Sequence, residues 1–173
     1  MSPSFPSRRL LAAACNGRLY AVATNSATDD LVQFFDDLVR AETRLYNALS
    51  ETLRHEHGLV TTQYEFLRYF RDHPDSRIGD AAKYFAAGIG AISKGVDRLE
   101  GSGWVQRRPN PADGRSSLVR LSAEGATLVA AAEDTFRRRL AELVAPGPDG
   151  RSMHEMGALR AQLEAGGIGV PAG

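Results

Sequence analysis

Trp104-Val105-Gln106-Arg107-Arg108, Pro109-Asn110-Pro111-Ala112-Asp113-Gly114-Arg115 and Ser117-Leu118-Val119-Arg120-Leu121 follow one another almost without a gap. The outer stretches are strand-like, and the middle one is a run of turn formers. Together they predict a β-hairpin. Directly upstream, Ile78, Ala81, Ala82 and Phe85 fall at i, i+3, i+4 and i+7, a minimal apolar helix face that Ser76 is placed to cap. Ala86-Ala87-Gly88 reads as a tight turn. A second helix then turns Ile89, Ile92, Val96 and Leu99 inward and ends at Gly101-Ser102-Gly103, where glycine suits a left-handed cap. Two short helices across a tight turn are a helix-turn-helix, and a hairpin immediately after the second is a wing. Thr61, as N-cap, opens a supporting helix that buries Phe66, Leu67 and Phe70 and stops before Pro74. Residues 61–121 are therefore predicted to be a winged helix-turn-helix.

On either side the periodicity lengthens. Leu31, Phe34, Phe35, Leu38, Ala41, Leu45, Ala48, Leu49 and Leu53 recur at spacings of three and four, which predicts one helix from about residue 30 to 55, capped by Asp29 or Asp30. At about 1.5 Å per residue it spans nearly 40 Å, more than a small core covers, so residues 29–60 call for a partner subunit. Ser122 caps another long helix with Leu128, Ala131, Ala132, Phe136, Leu140, Leu143 and Val144 along it. Pro146 to Gly150 break it, and a last helix from about Ser152 to Ala165 carries Met153, Met156, Leu159 and Leu163. The expected fold is mainly α: a winged helix-turn-helix with a small β-hairpin, plus long terminal helices (29–60 and 122–165) that form a dimerisation base. Residues 166–173 are expected to be a flexible tail. Residues 1–28 are expected to be a loosely ordered extension. The apolar run Leu10 to Ala14 before Cys15 is shorter than the roughly 7–15 residues of an export signal.

The 173 residues carry 21 basic and 21 acidic side chains, a formal net charge of zero that by itself argues against a nucleic-acid binder. The distribution says otherwise. Residues 77–121 hold eight basic and four acidic residues, whereas residues 29–76 hold five and ten. Composition is that of a soluble globular protein. With no run of about 18 apolar residues, no membrane span is expected. A single cysteine excludes a disulfide framework within the chain. No G-x-S-x-G, P-loop, dinucleotide-binding or H-E-x-x-H motif occurs, so no catalytic residues, cofactor or enzyme activity are expected.

Two motifs carry a resemblance. Asp113-x-Arg115, five residues, then Leu121-Ser122-x-x-Gly125 is similar to the D-x-R-x5-L-[TS]-x-x-G signature of the MarR family of bacterial transcription regulators. Ile92-Ser93-Lys94-Gly95-Val96-Asp97-Arg98-Leu99-Glu100 resembles that family's V-T-R-x-V-D-R-L-E run. The likeness covers about residues 29–165. It implies a cytoplasmic homodimer that binds a pseudo-palindromic operator on double-stranded DNA, with half-sites about one helical turn apart. It further implies a repressor released by a small aromatic or phenolic effector. Tyr46, Tyr64, Tyr69, Phe66, Phe70, Trp104 and Arg40 are candidates to line an effector cleft, and each is equally readable as core.

On the recognition helix the outward positions are Gly88, Gly90, Ala91, Ser93, Lys94, Asp97 and Arg98. Ser93 can bond a base edge or phosphate, and Lys94 can reach guanine or phosphate. Arg98 either contacts DNA or pairs with Asp97, Glu100 or a neighbouring element. Gly88, Gly90 and Gly95 either let the backbone approach DNA or are tolerated in a helix held by its neighbours. Arg115 at the wing tip is the strongest candidate, because a guanidinium is drawn into a narrow A·T minor groove. Asp113 is expected to orient Arg115 through a carboxylate–guanidinium bond. Arg77, Arg107, Arg108 and Arg120 are phosphate-contact candidates, each also readable as a solvated charge. Two alternatives stay open: a winged helix used for protein contact without sequence-specific DNA binding, and a metal- or redox-responsive member of the same family. His55 and His57, considered with His73, point about 200° apart while helical, and they could share a metal only if the helix has ended by His55. Cys15 lacks supporting residues around it.

Overall fold

The computed structural model of the chain describes residues 19–171, with side chains from residue 27 onward. The chain divides into two units, residues 1–42 and residues 43–173. Arg8, Arg9 and Cys15 lie outside the described residues. Helix α1 runs Leu19–His57 and so begins at Leu19, not at Asp29 or Asp30. Once a helix is nucleated each further residue adds one hydrogen bond, and an alanine-containing segment extends it without an apolar face of its own. Within the first unit Leu31, Val32, Phe34, Phe35 and Val39 are exposed on α1, Leu31 by 67% and Phe35 by 62%.

In the second unit the same stripe is buried at Leu49 and Leu53. Gly58 ends α1 in the left-handed region, φ 69°, and α2 follows as Thr61–Asp72. Its N-cap is Val60, not Thr61. The Gln63 side chain accepts the Val60 amide at 3.0 Å, and the buried Thr61 hydroxyl donates to the Tyr46 carbonyl at 3.2 Å. The expected cap Ser76 is instead part of a two-residue strand, β1 (Ser76–Arg77), and Arg77 precedes helix α3 (Ile78–Tyr84). After the turn comes α4 (Ile89–Gly101), then β2 (Val105–Pro109) and β3 (Ser117–Leu121). The sheet order is β1-β3-β2, all antiparallel, with Ser76 opposite Val119 and Arg107 also opposite Val119. The wing thus has three strands where two were expected.

The core lies among α2, α4, β3 and α5, where Leu67, Phe70, Val96, Leu99, Val119 and Val129 are all but inaccessible. Ser122 caps α5 (Ala123–Val144), its hydroxyl accepting the Gly125 amide at 3.0 Å. The buried face of α5 is Gly125, Val129, Ala132 and Thr135, while Ala131, expected inward, is exposed. Asp149 caps α6 (Gly150–Ala165), in which no residue is buried; Met153, Met156 and Leu163 are exposed. Residues 166–169 continue as a turn, closed by Ile168 N–H to the Leu163 carbonyl at 3.0 Å. No described helix is long and apolar enough to cross a membrane.

Gly125 is where a side chain is least tolerable. A Cβ there would overlap the carbonyl oxygen of Trp104, because the first turn of α5 sits directly on that peptide. The seat is tightened by Ser122 N–H to the Trp104 carbonyl at 3.0 Å and the Ser122 hydroxyl to the Gly103 carbonyl at 2.6 Å. Gly101, by contrast, is helical with open space around it. Gly125→Ala should therefore lower stability by about 1–3 kcal/mol, while Gly101→Ala leaves it unchanged or raises it by up to about 1 kcal/mol. Urea unfolding of the two variants beside wild type checks the opposite signs.

Candidate nucleic-acid interface

Helix α4 is amphipathic, and its inner side is pinned. Ile92, Val96 and Leu99 are buried. A Cβ on Gly95 would overlap Cε2 of Phe66, whose ring tilts on Phe85 with centroids 4.9 Å apart. Gly95 is therefore a packing glycine that lets α4 lie close on α2. Gly88 and Gly90 have open space around them and are exposed. With the apolar stripe inward, Gly90, Ala91, Lys94, Asp97 and Arg98 are exposed and Ser93 is half-buried. Ile89, expected inward, is 55% exposed. As the first helical residue it projects past the end of the core stripe.

Ile89 and Ser93 line a cleft of about 470 Å³ together with Arg77, Lys83 and Arg115. The cleft thus joins the α3 side, the recognition helix and the wing. Lys83 was missed in the sequence, although a signal existed: Lys83 and Lys94 are the only lysines of the chain, and both are exposed in the helix-turn-helix.

The wing loop is built by side chains bonded to backbone. Asn110 Oδ1 accepts the Ala112 amide at 3.0 Å, and its Nδ2 donates to the Ser116 hydroxyl at 2.8 Å. Asp113 Oδ1 accepts the backbone amide of Arg115 at 3.0 Å. The expected carboxylate–guanidinium bond is absent; the acid is used on the chain two residues on, the short-range bond Asp makes most readily in turns. Arg115 is exposed, and its side chain has no ion pair among the described residues.

Three of the four phosphate-contact candidates are held by acids. Arg77 meets Asp80 at 2.8 Å. Arg107 reaches Asp97 at 2.6 Å and Glu100 at 3.2 Å. Arg120 Nε bonds Asp75 at 2.9 Å, with a second contact from its Nη2. Arg108 is exposed and unpaired among the described residues. Asp97 and Glu100, offered to Arg98 by sequence spacing, thus serve Arg107, and no described residue pairs with Arg98. Every acid between 77 and 121 is then occupied: Asp80, Asp97 and Glu100 by arginines, Asp113 by a backbone amide. Among the described residues Lys83, Lys94, Arg98, Arg108 and Arg115 remain as cations without an acid.

The aromatic candidates for an effector cleft are mostly core. Tyr64, Phe66, Tyr69 and Phe70 are buried; Tyr46 is half-buried and bonds Thr62 at 2.7 Å; Arg40 is an exposed residue of α1. Trp104 borders a cavity of about 590 Å³ with His57, Glu124, Thr127, Leu128 and Ala131. The histidines are separately engaged or exposed. His57 Nε2 is 2.9 Å from the Thr135 hydroxyl, the His73 ring stacks on Tyr69, and His55 is exposed.

A recognition helix presented between a preceding helix and a three-stranded wing, with a surplus of unpaired cations, defines a winged helix-turn-helix protein. Residues 59–117 match the model of the MarR family. The multiple antibiotic resistance protein MarR of Salmonella typhimurium is 41% identical over 70 residues, which are 40% of this chain and 49% of that protein; the match spans about half the length of that relative. A cysteine-to-serine mutant of MarR from Escherichia coli, solved with operator DNA, shares the fold at TM-score 0.69 and 23% identity, covering 78% of this chain and 96% of that one. A MarR family transcriptional regulator from Streptomyces coelicolor, solved with DNA, does so at TM-score 0.70 and 24% identity, covering 81% and 88%. Residues 59–117 thus resemble the MarR family, and most of the chain shares the fold of these two solved structures.

The ion pairs set an acid limit on this unit. Hydrogen bonds from Arg120 hold the Asp75 carboxyl below its usual range, and those from Arg77 do the same to Asp80. A carboxylate depressed in the folded state adds stability above its unfolded value, near pH 4, that is lost as pH falls through the folded value. Asp75 also sits at φ 60°, which asparagine accepts, so Asp75→Asn isolates the charge. It should destabilise at pH 7 and have no effect near pH 2, giving a shallower acid limb in urea midpoints measured across that range.

Proposed function

We propose that this protein is a cytoplasmic, DNA-binding transcription regulator that docks two winged helices on a pseudo-palindromic operator. The observation that carries the reading is the cation surplus. All four acids of residues 77–121 are engaged within the free chain, while Lys83, Lys94, Arg98, Arg108 and Arg115 are left for an external polyanion. Ser93 and Lys94 on α4 enter the major groove, and Arg115 reaches the adjacent minor groove. Phosphate contacts then supply affinity, and the few base-reading side chains leave shape a large share of specificity.

Homodimerisation is supported by what a single chain leaves exposed. Leu31, Phe34 and Phe35 on α1, and Met153, Met156 and Leu163 on α6, are large apolar side chains facing water. Burying each against a partner contributes about 1.5–3 kcal/mol, enough in sum to favour assembly. The repressor reading rests on the family alone. An aromatic or phenolic effector is best supported at the cavity beside Trp104.

Arg115→Ala should weaken operator binding at least about tenfold at fixed salt, in keeping with the loss of about 1–3 kcal/mol for one specific contact. Unchanged affinity in a fluorescence-anisotropy titration removes Arg115 from the interface. Lys94→Ala should lower the salt slope by about 1 and relax base preference on mutated half-sites. Sedimentation velocity tests assembly: wild type should run as a dimer and Phe35→Asp as a folded monomer.

A further inference from the structure

Arg107 stands at the centre of β2, opposite the fully buried Val119. Its guanidinium leaves the wing and lies along the recognition helix. Nη2 is 2.6 Å from Asp97 Oδ1 and donates to the Ser93 carbonyl at 3.5 Å. Nη1 donates to Glu100 Oε2 at 3.2 Å, and the Arg107 backbone amide donates to Glu100 Oε1 at 3.2 Å. Ser93, Asp97 and Glu100 are i, i+4 and i+7, one face of α4, so a single side chain grips two turns of that helix. The side chain is 27% exposed, half that of the Asp97 it holds. Its neighbour Arg108 points away, exposed and unpaired among the described residues.

We infer that Arg107 is a positioning residue for DNA recognition: it fixes the wing to the recognition helix, so that Arg115 and Ser93/Lys94 present themselves to one duplex at a set separation. The inference rests on the DNA-binding reading above. Recognition at two grooves needs that separation before binding, since any freedom between the two elements must be lost on the duplex. The fork also neutralises Asp97, an acid on the DNA-facing helix that would otherwise repel phosphate. Arg107 thus acts through Asp97 and Glu100, not on the phosphates. Lysine cannot take its place, because an ammonium keeps the charge but lacks the planar fork that reaches two carboxylates and a carbonyl at once.

The test compares Arg107→Ala, Arg107→Lys and the double change Asp97→Asn with Glu100→Gln. Operator and random duplexes are titrated by fluorescence anisotropy across a salt series. Arg107→Ala and Arg107→Lys should each lower the operator-to-random affinity ratio by about three- to tenfold and leave the salt slope unchanged. The double change should lower the ratio by a similar factor although it removes two negative charges, and adding Arg107→Ala to it should cost nothing further. A salt slope that falls by about one in Arg107→Ala but not in Arg107→Lys, with operator binding tightened by the double change, would make Arg107 a phosphate contact and overturn the inference. Amide hydrogen exchange of the free protein supplies a readout without DNA. Arg107→Ala should speed exchange across 105–121 while Arg108→Ala does not, and equal exchange in both overturns the inference too. If wild type binds neither duplex, the DNA-binding reading fails by itself, and the exchange result still decides whether Arg107 fastens the wing.

Discussion

The recognition helix rests on one aromatic ring. Phe66 of α2 lies under Gly95 so closely that a Cβ would overlap it, and the same ring leans on Phe85 at the end of α3. Both helices of the helix-turn-helix therefore take their position from a side chain that belongs to neither. An interior glycine costs a helix about 1 kcal/mol relative to alanine, and here the loss is offset by close packing of α4 on α2. Once α4 is seated, its stripe of Ile92, Val96 and Leu99 has only one direction to face, and Lys94 and Arg98 have only the opposite one. The chain then leaves through Gly103, at φ 79°, into Trp104, whose carbonyl receives α5 over Gly125. Two glycines, one under each contact, thus relay the position of α2 to the wing and to α5.

Charge is handled in a way that a net sum hides. The zero total argued against DNA, and the local excess between 77 and 121 argued for it. The structure adds how that excess is made available. Arginines serve in two populations. Arg77, Arg107 and Arg120 are braces, each spanning from one element to an acid near or on another. Lys83, Lys94, Arg98, Arg108 and Arg115 stay in solvent. Exposed pairs of the first kind add little to stability, so their larger effect is to withdraw acids from the surface. A surface whose acids are already satisfied offers a polyanion cations without competing carboxylates.

Much of the fold was legible because its signals are local. Apolar spacing of three and four, glycine after a helix, and a proline–asparagine–glycine run between strands each act over a few residues. The helices α2 to α4, the hairpin and the Ser122 cap follow from them. The misreadings share a physical cause, dependence on a distant partner. β1 is two residues that are a strand only because Val119 and Leu118 lie beside them. Asp75 finds Arg120 only through that pairing. Thr61 carries a capping hydroxyl by type, yet the Tyr46 carbonyl on α1 takes it and Gln63 satisfies the end instead. Asp97 and Glu100 lie beside Arg98 in sequence, but a helix presents them to the strand that crosses it, and the strand carries Arg107.

The D-x-R pair at the wing shows how little a motif says about which bond it makes. A carboxylate two residues from a guanidinium suggests an ion pair, and on the proposed DNA-binding reading such a pair would have to break before Arg115 met a phosphate. Asp113 spends its oxygen on the Arg115 backbone amide instead. That bond, with those of Asn110 to Ala112 and Ser116, shapes the loop between β2 and β3 and leaves the Arg115 side chain uncommitted. The acid contributes shape, and the arginine side chain is left exposed and uncommitted. Held this way, the loop is as well placed as the strands beneath it, and those strands are fastened to the recognition helix by Arg107.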